Sequence, residues 1–585
     1  MRNAKIVCTL GPASSDRETI RRLADAGMSV ARLNASHGDT DDRASLIERL
    51  RSVDDEIDRQ IAVMLDLQGP EVRTVPLDAR ESVTLTEGDT VSLVEGDAAR
   101  SDEIGLTASL SGVSEGDRVL LDDGLIELTV TEVADDETRT LVQSGGDLGS
   151  RKGVNVPGVD LDLRTVTDDD RRELELAAES GVDFVAASFV GDDDDVYEVN
   201  EVLEGFGADI PIVSKIERAD AVSNLDELVD ASDGIMVARG DLGVELPMEE
   251  VPMIQKRIIR RCHEGGVPVI TATEMLDSMV HSPRPTRAEA SDVANAVLDG
   301  TDAVMLSAET AVGDDPVGVV ETMRRLVREV ERSAEYDEVL ESRVPRSGAS
   351  RTDALARAAR YLARDVGAEA IVAATESGYT ALKAAKYRPT IPVVASTPHD
   401  EVRRQLALSW GVTPVYAPIA DQNADAVIER AVQSAIDAGV AESGETVVVL
   451  CGMMTELEGA NTTNMLKVHV AADTIETGRV VVEGRASGPI AHAPDGDLTD
   501  VPAGSILALG EEFDGEFDGE FETLAGILDA RPGMTGYAAL VARELGIPML
   551  SDADCTTVEP GRIVTIDGGR GVVYDGELAV RTTEY

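Results

Sequence analysis

The sequence predicts an α/β protein whose largest part is a (β/α)8 TIM barrel. Between residues 5 and 306, eight short apolar segments of strand length alternate with helical patterns. Each segment is followed at once by polar residues or glycine, as expected where barrel strands end at a functional face. A third observation concerns residues 70–156, where short strands separated by Gly-Asp turns replace the alternation. This stretch predicts a small β-barrel lid inserted after the third barrel strand.

The eight predicted barrel strands share a short apolar run of the kind found in buried parallel sheets. They are Lys5–Thr9, Val30–Leu33, Ile61–Leu65, Phe184–Ala187, Ile212–Lys215, Gly234–Val237, Val267–Ile270 and Ala303–Leu306. Pro70 and Pro157 lie near the two hinges of the inserted lid.

Two more domains are predicted after the barrel. A further α/β pattern contains the candidate strands Ala370–Ala374, Val393–Ala395 and Val447–Cys451, and a glycine-rich β/α unit comes last. Within that unit, the low-complexity repeat Glu511–Gly519 predicts an exposed loop rather than a metal site. The predicted boundaries are 1–69 plus 157–340 for the barrel, 70–156 for the lid, 345–475 for the α/β domain and 480–585 for the last unit.

The charge of the chain is strongly one-sided. It has 53 basic and 111 acidic residues, a net charge of −58, and only seven lysines. Such a surface repels itself in dilute buffer, and this repulsion is screened at about 1 M salt, where the Debye length falls to about 3 Å. The composition resembles that of proteins from extremely halophilic archaea. Nucleic acid is not an expected partner because no basic stripe is present to neutralise phosphates.

The cysteines and the apolar runs exclude other classes. Cys8, Cys262, Cys451 and Cys555 are far apart and form no CxxC pair, which argues against a disulfide framework or a zinc site. No stretch reaches about 18 uninterrupted apolar residues, so no membrane span is expected. The sequence therefore predicts a cytoplasmic protein that has no membrane partner.

Charged residues gather at the ends of two neighbouring predicted strands. Lys215 and Glu217 are two residues apart, so both side chains project from the same side of the strand. The next strand ends at Arg239, Gly240 and Asp241. An ammonium, a guanidinium and two carboxylates at this edge could hold a divalent metal and a phosphorylated acid. The alternative is a solvated Lys-Glu ion pair worth about 0–1 kcal/mol.

Four more polar clusters accompany these strand ends, and each follows a predicted strand or closes the lid. They are residues 31–38, 65–74, 151–158 and 271–276. Together with Lys5–Pro12 and the Lys215–Glu217 pair, these motifs are similar to those of the pyruvate kinase family, in the same order, from about residue 2 to residue 472. The resemblance implies phosphoryl transfer from phosphoenolpyruvate to ADP, giving pyruvate and ATP.

The resemblance also implies roles for individual residues. Lys215, Arg32 and Thr273 would be the catalytic residues, and Arg32, Lys215, Gly240, Asp241 and Thr273 would bind the substrate. Glu217 and Asp241 would hold Mg2+ (or Mn2+), which bridges substrate oxygens. The backbone N–H groups of Gly240 and Asp241 and the Thr273 hydroxyl would bind the substrate carboxylate.

Nucleotide and monovalent-cation residues follow in the same way. The implied nucleotide-binding residues are Asn34, His37, Arg73 and Lys152. The implied K+ ligands are Asn34, Ser36, Asp66 and the carbonyl of Leu67. Glu71 stands where K+-dependent members carry Glu, which predicts K+ dependence, whereas Gln68 departs from the usual Lys. For His37, capping of a turn beside Gly38 is an alternative.

The loop of residues 375–380 links a predicted strand to a helix and carries several hydroxyl groups. It resembles the family's allosteric phosphosugar site, so Thr375, Ser377, Gly378 and Thr380 are candidates to bind a phosphorylated effector. Simple helix capping by these hydroxyls is an equal alternative. The family is usually tetrameric, so a homotetramer is expected.

The last unit resembles the phosphohistidine swivelling domain of phosphoenolpyruvate-utilising enzymes. Those enzymes read Thr-Ser-His-Ala where this chain has Thr535-Gly536-Tyr537-Ala538. Tyr537 lacks an imidazole nitrogen to carry a phosphoryl group, so a structural or regulatory role is expected. Two alternatives remain for the whole chain, a dikinase or synthase of the same class and a non-catalytic sensor of phosphosugars.

Overall fold

The computed structural model describes residues 2–57, 59–76, 82–96, 100, 102–134, 137–159, 161–418, 424–452, 463–472, 474–513 and 515–578. The chain forms two compact units. The first unit comprises Met1–Arg360, Thr375–Pro418 and Met454–Thr463, and the second comprises Tyr361–Ala374, Ile419–Met453 and Asn464–Tyr585.

The first unit begins with the opening strands of a barrel and their helices. These are β1 (Lys5–Thr9), α1 (Arg17–Ala26), β2 (Val30–Asn34), α2 (Thr40–Asp54) and β3 (Ala62–Asp66). The α1 helix begins at Asp16, whose side chain accepts from the Thr19 N–H, and ends at Gly27. These are the usual start and stop signals of a helix.

The lid follows β3, and the regular elements among its described residues are all strands. They are β4 (Val72–Arg73), β5 (Val83–Leu85), β6 (Thr90–Glu95), β7 (Glu103–Leu106), β8 (Arg118–Leu121), β9 (Ile126–Ala134), β10 (Glu137–Ser144), β11 (Gly146–Leu148) and β12 (Gly153–Asn155). Seven of them form one sheet in the order β4-β12-β8-β9-β10-β6-β7, and β11 pairs with β5. A bridge between Thr74 and Leu106 joins the two ends of the larger sheet, so the predicted β-barrel lid is confirmed.

The chain then completes the barrel. The elements are α3 (Asp168–Ser180), β13 (Phe184–Ala187), α4 (Asp193–Gly205), β14 (Ile212–Ile216), α5 (Ala219–Ser223), α6 (Leu225–Ala231), β15 (Gly234–Ala238), α7 (Arg239–Glu245), α8 (Val251–Gly265), β16 (Val269–Ala272), a 3₁₀ helix (Asp277–Val280), α9 (Arg287–Asp299), β17 (Ala303–Leu306), α10 (Ala308–Ala311), α11 (Pro316–Glu331) and α12 (Ala334–Ser342). Eight parallel strands close in the order β1-β17-β16-β15-β14-β13-β3-β2.

The barrel strands read as continuous apolar runs because side chains are buried on both of their faces. Inward side chains such as Val7, Met64, Met236 and Ile270 fill the interior, and a larger core lies between the strands and the helices. Charged side chains are therefore confined to the strand ends, where the site lies.

The predicted barrel strands are confirmed to within two residues at each end, and the largest shift is in the seventh strand. The seventh strand, predicted to begin at Val267, begins at Val269. Pro268 has no N–H to donate to a ladder, although its carbonyl accepts from Ile235 N at 2.9 Å. The ladder of this strand therefore starts after the proline.

The α/β segment after the barrel contributes to both units. Its elements are α13 (Arg351–Asp365), β18 (Ala370–Ala374), α14 (Tyr379–Lys386), β19 (Val393–Thr397), α15 (Asp400–Leu406), β20 (Val412–Tyr416), α16 (Ala424–Asp437), β21 (Thr446–Cys451) and β22 (Met465–Val470). In the first unit, β19 pairs with β20 in parallel. In the second unit, β21 pairs with β18 in parallel and with β22 in antiparallel orientation.

The second unit also contains the last β/α region. Its elements are β23 (Thr474–Thr477), β24 (Arg479–Val482), β25 (Arg485–His492), β26 (Ile506–Leu509), a 3₁₀ helix (Phe521–Thr523), β27 (Gly526–Asp529), α17 (Tyr537–Leu545), β28 (Met549–Ser551), β29 (Ile563–Asp567) and β30 (Val572–Asp575). The eight strands form one sheet in the order β23-β30-β29-β25-β26-β27-β28-β24.

The expectation that Glu511–Gly519 is an exposed loop is wrong for its aromatic residues. Phe513 and Phe517 are buried and lie 5.5 Å apart as a stacked pair. They belong to the core that packs α17 against the sheet. The repeat alternates acidic residues with phenylalanines, and burial of the aromatic area outweighs the hydration of the acids between them.

All four cysteines are free and buried. Within the part of the chain that the structure describes, no helix has both the length and the apolar character needed to cross a membrane.

Candidate active site

Lys215 lies in a buried polar cluster at the carboxyl ends of β3, β13 and β14. Its ammonium donates to Ser188 Oγ at 2.8 Å and lies 2.7 Å from Glu217 Oε1 and 3.3 Å from Asp66 Oδ1. The Lys215 and Glu217 side chains are 12% and 1% exposed, so their ion pair is not the solvated pair weighed as an alternative. Burial lowers the pKa of Lys215, but Asp66 and Glu217 outweigh it, and the net shift is upward. Lys215 is therefore a fixed positive charge.

Glu217 is held by the loop that follows β13. Its Oε2 accepts from the Phe189 N–H at 2.7 Å. Phe189 has a φ of +58°, a backbone region that bulky residues rarely adopt. Gly69 packs against this loop, and a Cβ at Gly69 would lie 2.9 Å from Ser188 Cβ. The close approach therefore requires glycine at position 69, where φ is +74°.

Asp66 connects the lysine to Arg32. Arg32 Nε donates to Asp66 Oδ2 at 2.5 Å, and its Nη1 donates to Thr9 Oγ1 at 2.9 Å. Burial raises the pKa of Asp66, but Arg32 and Lys215 more than reverse this, so the pKa is lowered. Asp66 is ionised and holds two cations at one edge of the barrel.

Thr273 follows β16 in a strained turn. Thr273 and Glu274 have φ values of +70° and +52°, which is unusual for two consecutive residues with side chains. Arg239 secures this turn, because it donates to the Ala272 carbonyl at 3.0 Å and to the Thr273 carbonyl at 2.7 Å. The Gly240 N–H donates to Thr273 Oγ1 at 3.1 Å, so the residues predicted to bind a carboxylate lie together.

The residues predicted to hold a divalent cation fit that role. Burial raises the pKa of Glu217, Lys215 opposes the shift and Asp241 adds to it, and the resulting pKa is about 7. Glu217 is buried and Asp241 is half-buried, and two carboxylates that repel each other suit a divalent cation. Among the described residues, no group of three or more His, Cys, Asp or Glu is placed to hold a metal. Mg2+ needs fewer, because it often binds one or two carboxylates together with substrate oxygens and water.

The predicted monovalent-cation ligands lie on β2, on β3 and just after these strands. Asn34 and Asp66 are paired in register. Asn34 Oδ1 accepts from the Ser36 N–H at 3.1 Å, and the Leu67 carbonyl accepts from Ser188 Oγ at 2.7 Å. The donor set consists of oxygens, which suits a hard cation.

A cavity of about 790 Å³ lies beside this cluster, and Arg32, Asn34 and His37 are among its lining residues. Its size lies within the usual range for small-molecule sites of about 300–1,000 Å³. The His37 N–H donates to the Asn34 carbonyl at 3.3 Å in a turn. Burial lowers the pKa of the His37 imidazole, and Arg73 and Arg32 add to the effect.

The two lid cations predicted to bind nucleotide are paired with acids. Arg73 Nη2 lies 2.6 Å from Glu71 Oε2, and Lys152 Nζ lies 2.7 Å from Asp122 Oδ1. Burial raises the pKa of Glu71; Arg73 opposes the shift, and Asp241 and Asp123 add to it. The influence of Asp241 on Glu71 places the base of the lid within electrostatic reach of the candidate metal site.

The candidate effector loop is built differently from a hydroxyl-capped helix. The N-cap of α14 is Gly378, with a φ of +82° and no side-chain cap. The alternative that these hydroxyls cap the helix is therefore wrong for the N-cap position. Thr380 Oγ1 lies 2.8 Å from Thr463 Oγ1 in a buried pair, and the Thr375 N–H donates to the Ser396 carbonyl. Ser377 lies two residues before the first residue of α14, Tyr379.

In the second unit, Tyr537 is the first residue of α17. Its ring packs edge-on against Phe517 at 5.4 Å. Tyr537 therefore takes part in the aromatic core of its domain.

Sequence reasoning missed Ser188, Phe189 and Arg239 as positioning residues. Ser188 and Phe189 follow β13 directly, so a polar residue at the end of a barrel strand was the available signal. The sequence marks Arg239 only as a charge near the site, because its contacts with the Thr273 turn join segments that are more than 30 residues apart.

A barrel that gathers an ammonium, a guanidinium and carboxylates at its strand ends, beside a cavity of about 790 Å³, has the charges that a phosphoryl-transfer enzyme needs. The family model "Pyruvate kinase, barrel domain" matches residues 1–320, and "Pyruvate kinase, alpha/beta domain" matches residues 353–469. The model "PEP-utilising enzyme, mobile domain" matches residues 501–571. The chain belongs to the pyruvate kinase family.

Relatives of similar length support this assignment. The chain is 41% identical to a pyruvate kinase of Bacillus licheniformis over 590 residues, which covers 99% of this chain and all of the relative. It is 41% identical to one of Geobacillus stearothermophilus over 589 residues and 40% identical to one of Sporosarcina psychrophila over 593 residues, again across 99% of this chain and all of each relative. The chain is thus a phosphotransferase that converts phosphoenolpyruvate and ADP to pyruvate and ATP in glycolysis. These matches favour neither the dikinase nor the sensor alternative.

Proposed function

We propose that Lys215, Arg32 and Thr273 carry out the phosphoryl transfer. The observation that carries this proposal is the position of Lys215, whose buried ammonium contacts Asp66, Ser188 and Glu217 at once. Phosphoryl transfer involves little covalent chemistry for the protein, so positioned charges supply most of the rate enhancement. Lys215 neutralises charge that develops on the transferring phosphoryl group and on the enolate left behind.

Arg32 binds the phosphate of the substrate in this proposal. Its Nε and Nη1 are oriented by Asp66 and Thr9, which fixes the plane of the guanidinium. A planar fork held in one orientation suits a phosphate, because two parallel hydrogen bonds can form with no further loss of side-chain freedom.

Glu217 and Asp241 are the proposed ligands of Mg2+ (or Mn2+). A divalent cation bound there supplies positive charge that draws electron density from substrate oxygens. Glu217 is preoriented by Lys215 and by the Phe189 N–H, so its carboxylate needs no rearrangement when the cation binds.

The carboxylate of phosphoenolpyruvate binds at Gly240, Asp241 and Thr273 in this proposal. The hydrogen bond between the Gly240 N–H and Thr273 Oγ1 supports it, because the two groups lie close enough to contact one anion. The strained turn at Thr273 is of the kind that persists where function requires it.

Asn34, Ser36, Asp66 and the Leu67 carbonyl are proposed to bind K+. Ser188 supports this assignment, since its hydroxyl joins the Leu67 carbonyl to Lys215. A monovalent cation at these oxygens would extend the row of positive charges that faces the substrate. Glu71 leads to the further expectation of K+ dependence.

The ADP phosphates are proposed to bind Asn34, His37, Arg73 and Lys152, with the nucleoside in the cavity of about 790 Å³. Arg73 and Lys152 belong to the lid, and each exchanges its carboxylate partner for phosphate when the lid closes. Closure excludes water that would otherwise compete for the phosphoryl group.

Further proposals concern regulation and assembly. A phosphorylated effector would bind Thr375, Ser377, Gly378 and Thr380; the left-handed Gly378 supports this because it leaves the start of α14 without a side-chain cap. A homotetramer, a halophilic and cytoplasmic setting, the four domain boundaries and a structural or regulatory role for residues 480–585 stay predictions.

One experiment tests the metal assignment. The variant Glu217→Gln keeps the shape of the side chain but removes its charge. We expect Mn2+ affinity to fall roughly tenfold or more, since mutating even a residue that only supports a metal ligand lowers metal affinity by about 10–100-fold. Electron paramagnetic resonance of free Mn2+ measures this without turnover. Glu331→Gln is the matched control, because Glu331 also accepts main-chain N–H bonds, from Asn3 and Ala4, at the opposite end of the barrel. Equal Mn2+ affinity in both variants would refute the assignment.

A second experiment tests the monovalent cation. Activity in concentrated KCl is compared with activity in NaCl of equal concentration, while circular dichroism follows folding in both salts. We expect turnover to fall in NaCl with the fold intact. Equal turnover in the two salts would contradict K+ dependence and leave the metal assignment untouched.

A further inference from the structure

Helix α3 begins where the chain returns from the lid. Its N-cap is Thr167, and Thr167 and Asp170 form a capping box. Asp170 is 1% exposed. While its Oδ2 serves the capping box, its Oδ1 accepts from the Gly69 N–H at 3.1 Å. Gly69 lies just before the chain enters the lid, so one carboxylate joins the entry of the lid to the helix that follows the lid.

One turn further along α3, Glu173 holds the first turn of α2. Its carboxylate accepts from Arg43 Nε at 2.8 Å, from Arg43 Nη2 at 2.5 Å and from the Thr40 hydroxyl at 2.6 Å. Glu173 and Arg43 are 4% and 8% exposed. This is a bidentate, buried ion pair with a third hydrogen bond, and such geometry fixes orientation more than it adds stability.

Arg43 carries this restraint to the nucleotide cavity. Its Nη1 donates to the His37 carbonyl at 2.7 Å, and both residues line the cavity of about 790 Å³. The first turns of α3 thus make two contacts. Asp170 contacts Gly69 at the lid hinge, and Glu173 contacts the segment of residues 34–43, here called the nucleotide loop. The phosphoryl-transfer chemistry described above uses neither contact.

We propose that Arg43 and Glu173 are positioning residues for ADP, and that α3 couples the nucleotide loop to the lid hinge. A nucleotide that fixes the position of residues 34–43 also fixes the position of α3 through Glu173. The hydrogen bond from Gly69 to Asp170 then restrains the lid. The inference rests on the proposed nucleotide role of this cavity and adds the route by which nucleotide and lid are linked.

The variant Glu173→Gln tests the positioning role. It keeps the size of the side chain and leaves the Arg43 guanidinium without its carboxylate. We expect the KM for ADP to rise roughly tenfold, because small misplacements of a binding group can cost up to about 100-fold, while the KM for phosphoenolpyruvate changes by less than about twofold. Equal rises in both KM values, or an unchanged KM for ADP, would overturn the positioning role.

Hydrogen exchange tests the coupling. ADP at a concentration far above its KM is expected to protect lid amides of β8, β9 and β10 in the wild type and to protect them less in Glu173→Gln. Full protection of the lid in a variant whose KM for ADP has risen would overturn the coupling. The quantity compared is the gain in lid protection that saturating ADP causes within each protein. A uniform loss of stability does not account for a smaller gain in the variant.

The matched control is Asp183→Asn. Asp183 is also a buried carboxylate, paired with Arg404 at 2.8 Å and bonded to the Val63 N–H, but it lies at the opposite end of β13. It should lose stability with both KM values and the lid protection unchanged.

If Glu173→Gln does not fold, Thr40→Val removes only one hydrogen bond to Glu173 and should raise the KM for ADP by a smaller factor. An unchanged KM for ADP would count against the proposal. Failure of the wild type to form pyruvate would instead contradict the activity assigned to the chain.

Discussion

Removal of the Ser188 hydroxyl is a direct test of how Lys215 is held. The Ser188 Oγ accepts from the Lys215 ammonium at 2.8 Å and donates to the Leu67 carbonyl at 2.7 Å. The side chain is buried, with the residue 4% exposed, so water does not readily replace it. The variant Ser188→Ala leaves the ammonium with two carboxylate partners and no hydroxyl, and frees the Leu67 carbonyl.

The size of the effect follows from these contacts. A hydrogen bond to a charged group contributes about 1.5–3 kcal/mol. If this energy is lost from the transition state, kcat/KM for phosphoenolpyruvate falls about 10- to 150-fold, since about 1.36 kcal/mol corresponds to a factor of ten. We expect the fall mainly in kcat, because Lys215 acts on charge that develops during transfer.

The assay is pyruvate formation at saturating ADP, Mg2+ and K+, with thermal unfolding measured in the same buffer. Ser214→Ala is the matched control, because Ser214 precedes Lys215 on β14, is fully buried, and has a hydroxyl that pairs with a neutral group, Ser232 Oγ, at 2.6 Å. The control should lose stability and keep its kinetics. Activity of Ser188→Ala within about twofold of the wild type, despite a similar loss of stability, would refute the reasoning.

Three more predictions concern backbone, acid stability and salt. Gly69→Ala and Gly158→Ala impose a similar backbone strain of about 1–2 kcal/mol, since φ is +74° at Gly69 and +77° at Gly158. Only Gly69→Ala should also lose activity, because its Cβ meets Ser188 whereas nothing lies within 4 Å of a Cβ at Gly158. Equal activities of the two variants would contradict the packing argument. For Asp353, burial raises the pKa but hydrogen bonds from Lys386, Ser350 and Tyr387 outweigh it and lower the pKa to about 2. Its stabilisation is thus present above about pH 3.9 and is lost as pH falls toward 2, so the difference in unfolding free energy between wild type and Asp353→Asn should shrink over that range; a constant difference would refute the assignment. The melting temperature should rise with KCl up to about 1 M because screening reduces the repulsion of a net charge of −58, and a flat profile would contradict the salt argument.

The sequence predicted the barrel well because its strands are buried on both faces and end at polar residues. The pairing of Lys215 with Glu217 followed from the two-residue period of one strand. Its contact with Asp66 required β3 and β14 to meet through β13, which the barrel order supplies. Site residues on strands were therefore accessible to sequence reasoning.

Other features depend on contacts between distant segments and could not be predicted. The ion pair between Arg43 and Glu173 joins residues 130 positions apart, and neither carries a motif. Phe513 and Phe517 were misjudged because the local acidic pattern indicated exposure, whereas their packing against α17 decides their burial. The start of β16 shifted because Pro268 cannot donate a ladder hydrogen bond.

The central claim is that Lys215 supplies the positive charge on which phosphoryl transfer depends. The most direct measurement is pyruvate formation from phosphoenolpyruvate and ADP by Lys215→Met in concentrated KCl with Mg2+, alongside Mn2+ binding to confirm that Glu217 and Asp241 still form their site. We expect turnover to fall roughly a thousandfold or more, as for the loss of a preorganised charge that acts on the transition state, while Mn2+ still binds. Turnover near that of the wild type would contradict the role of Lys215.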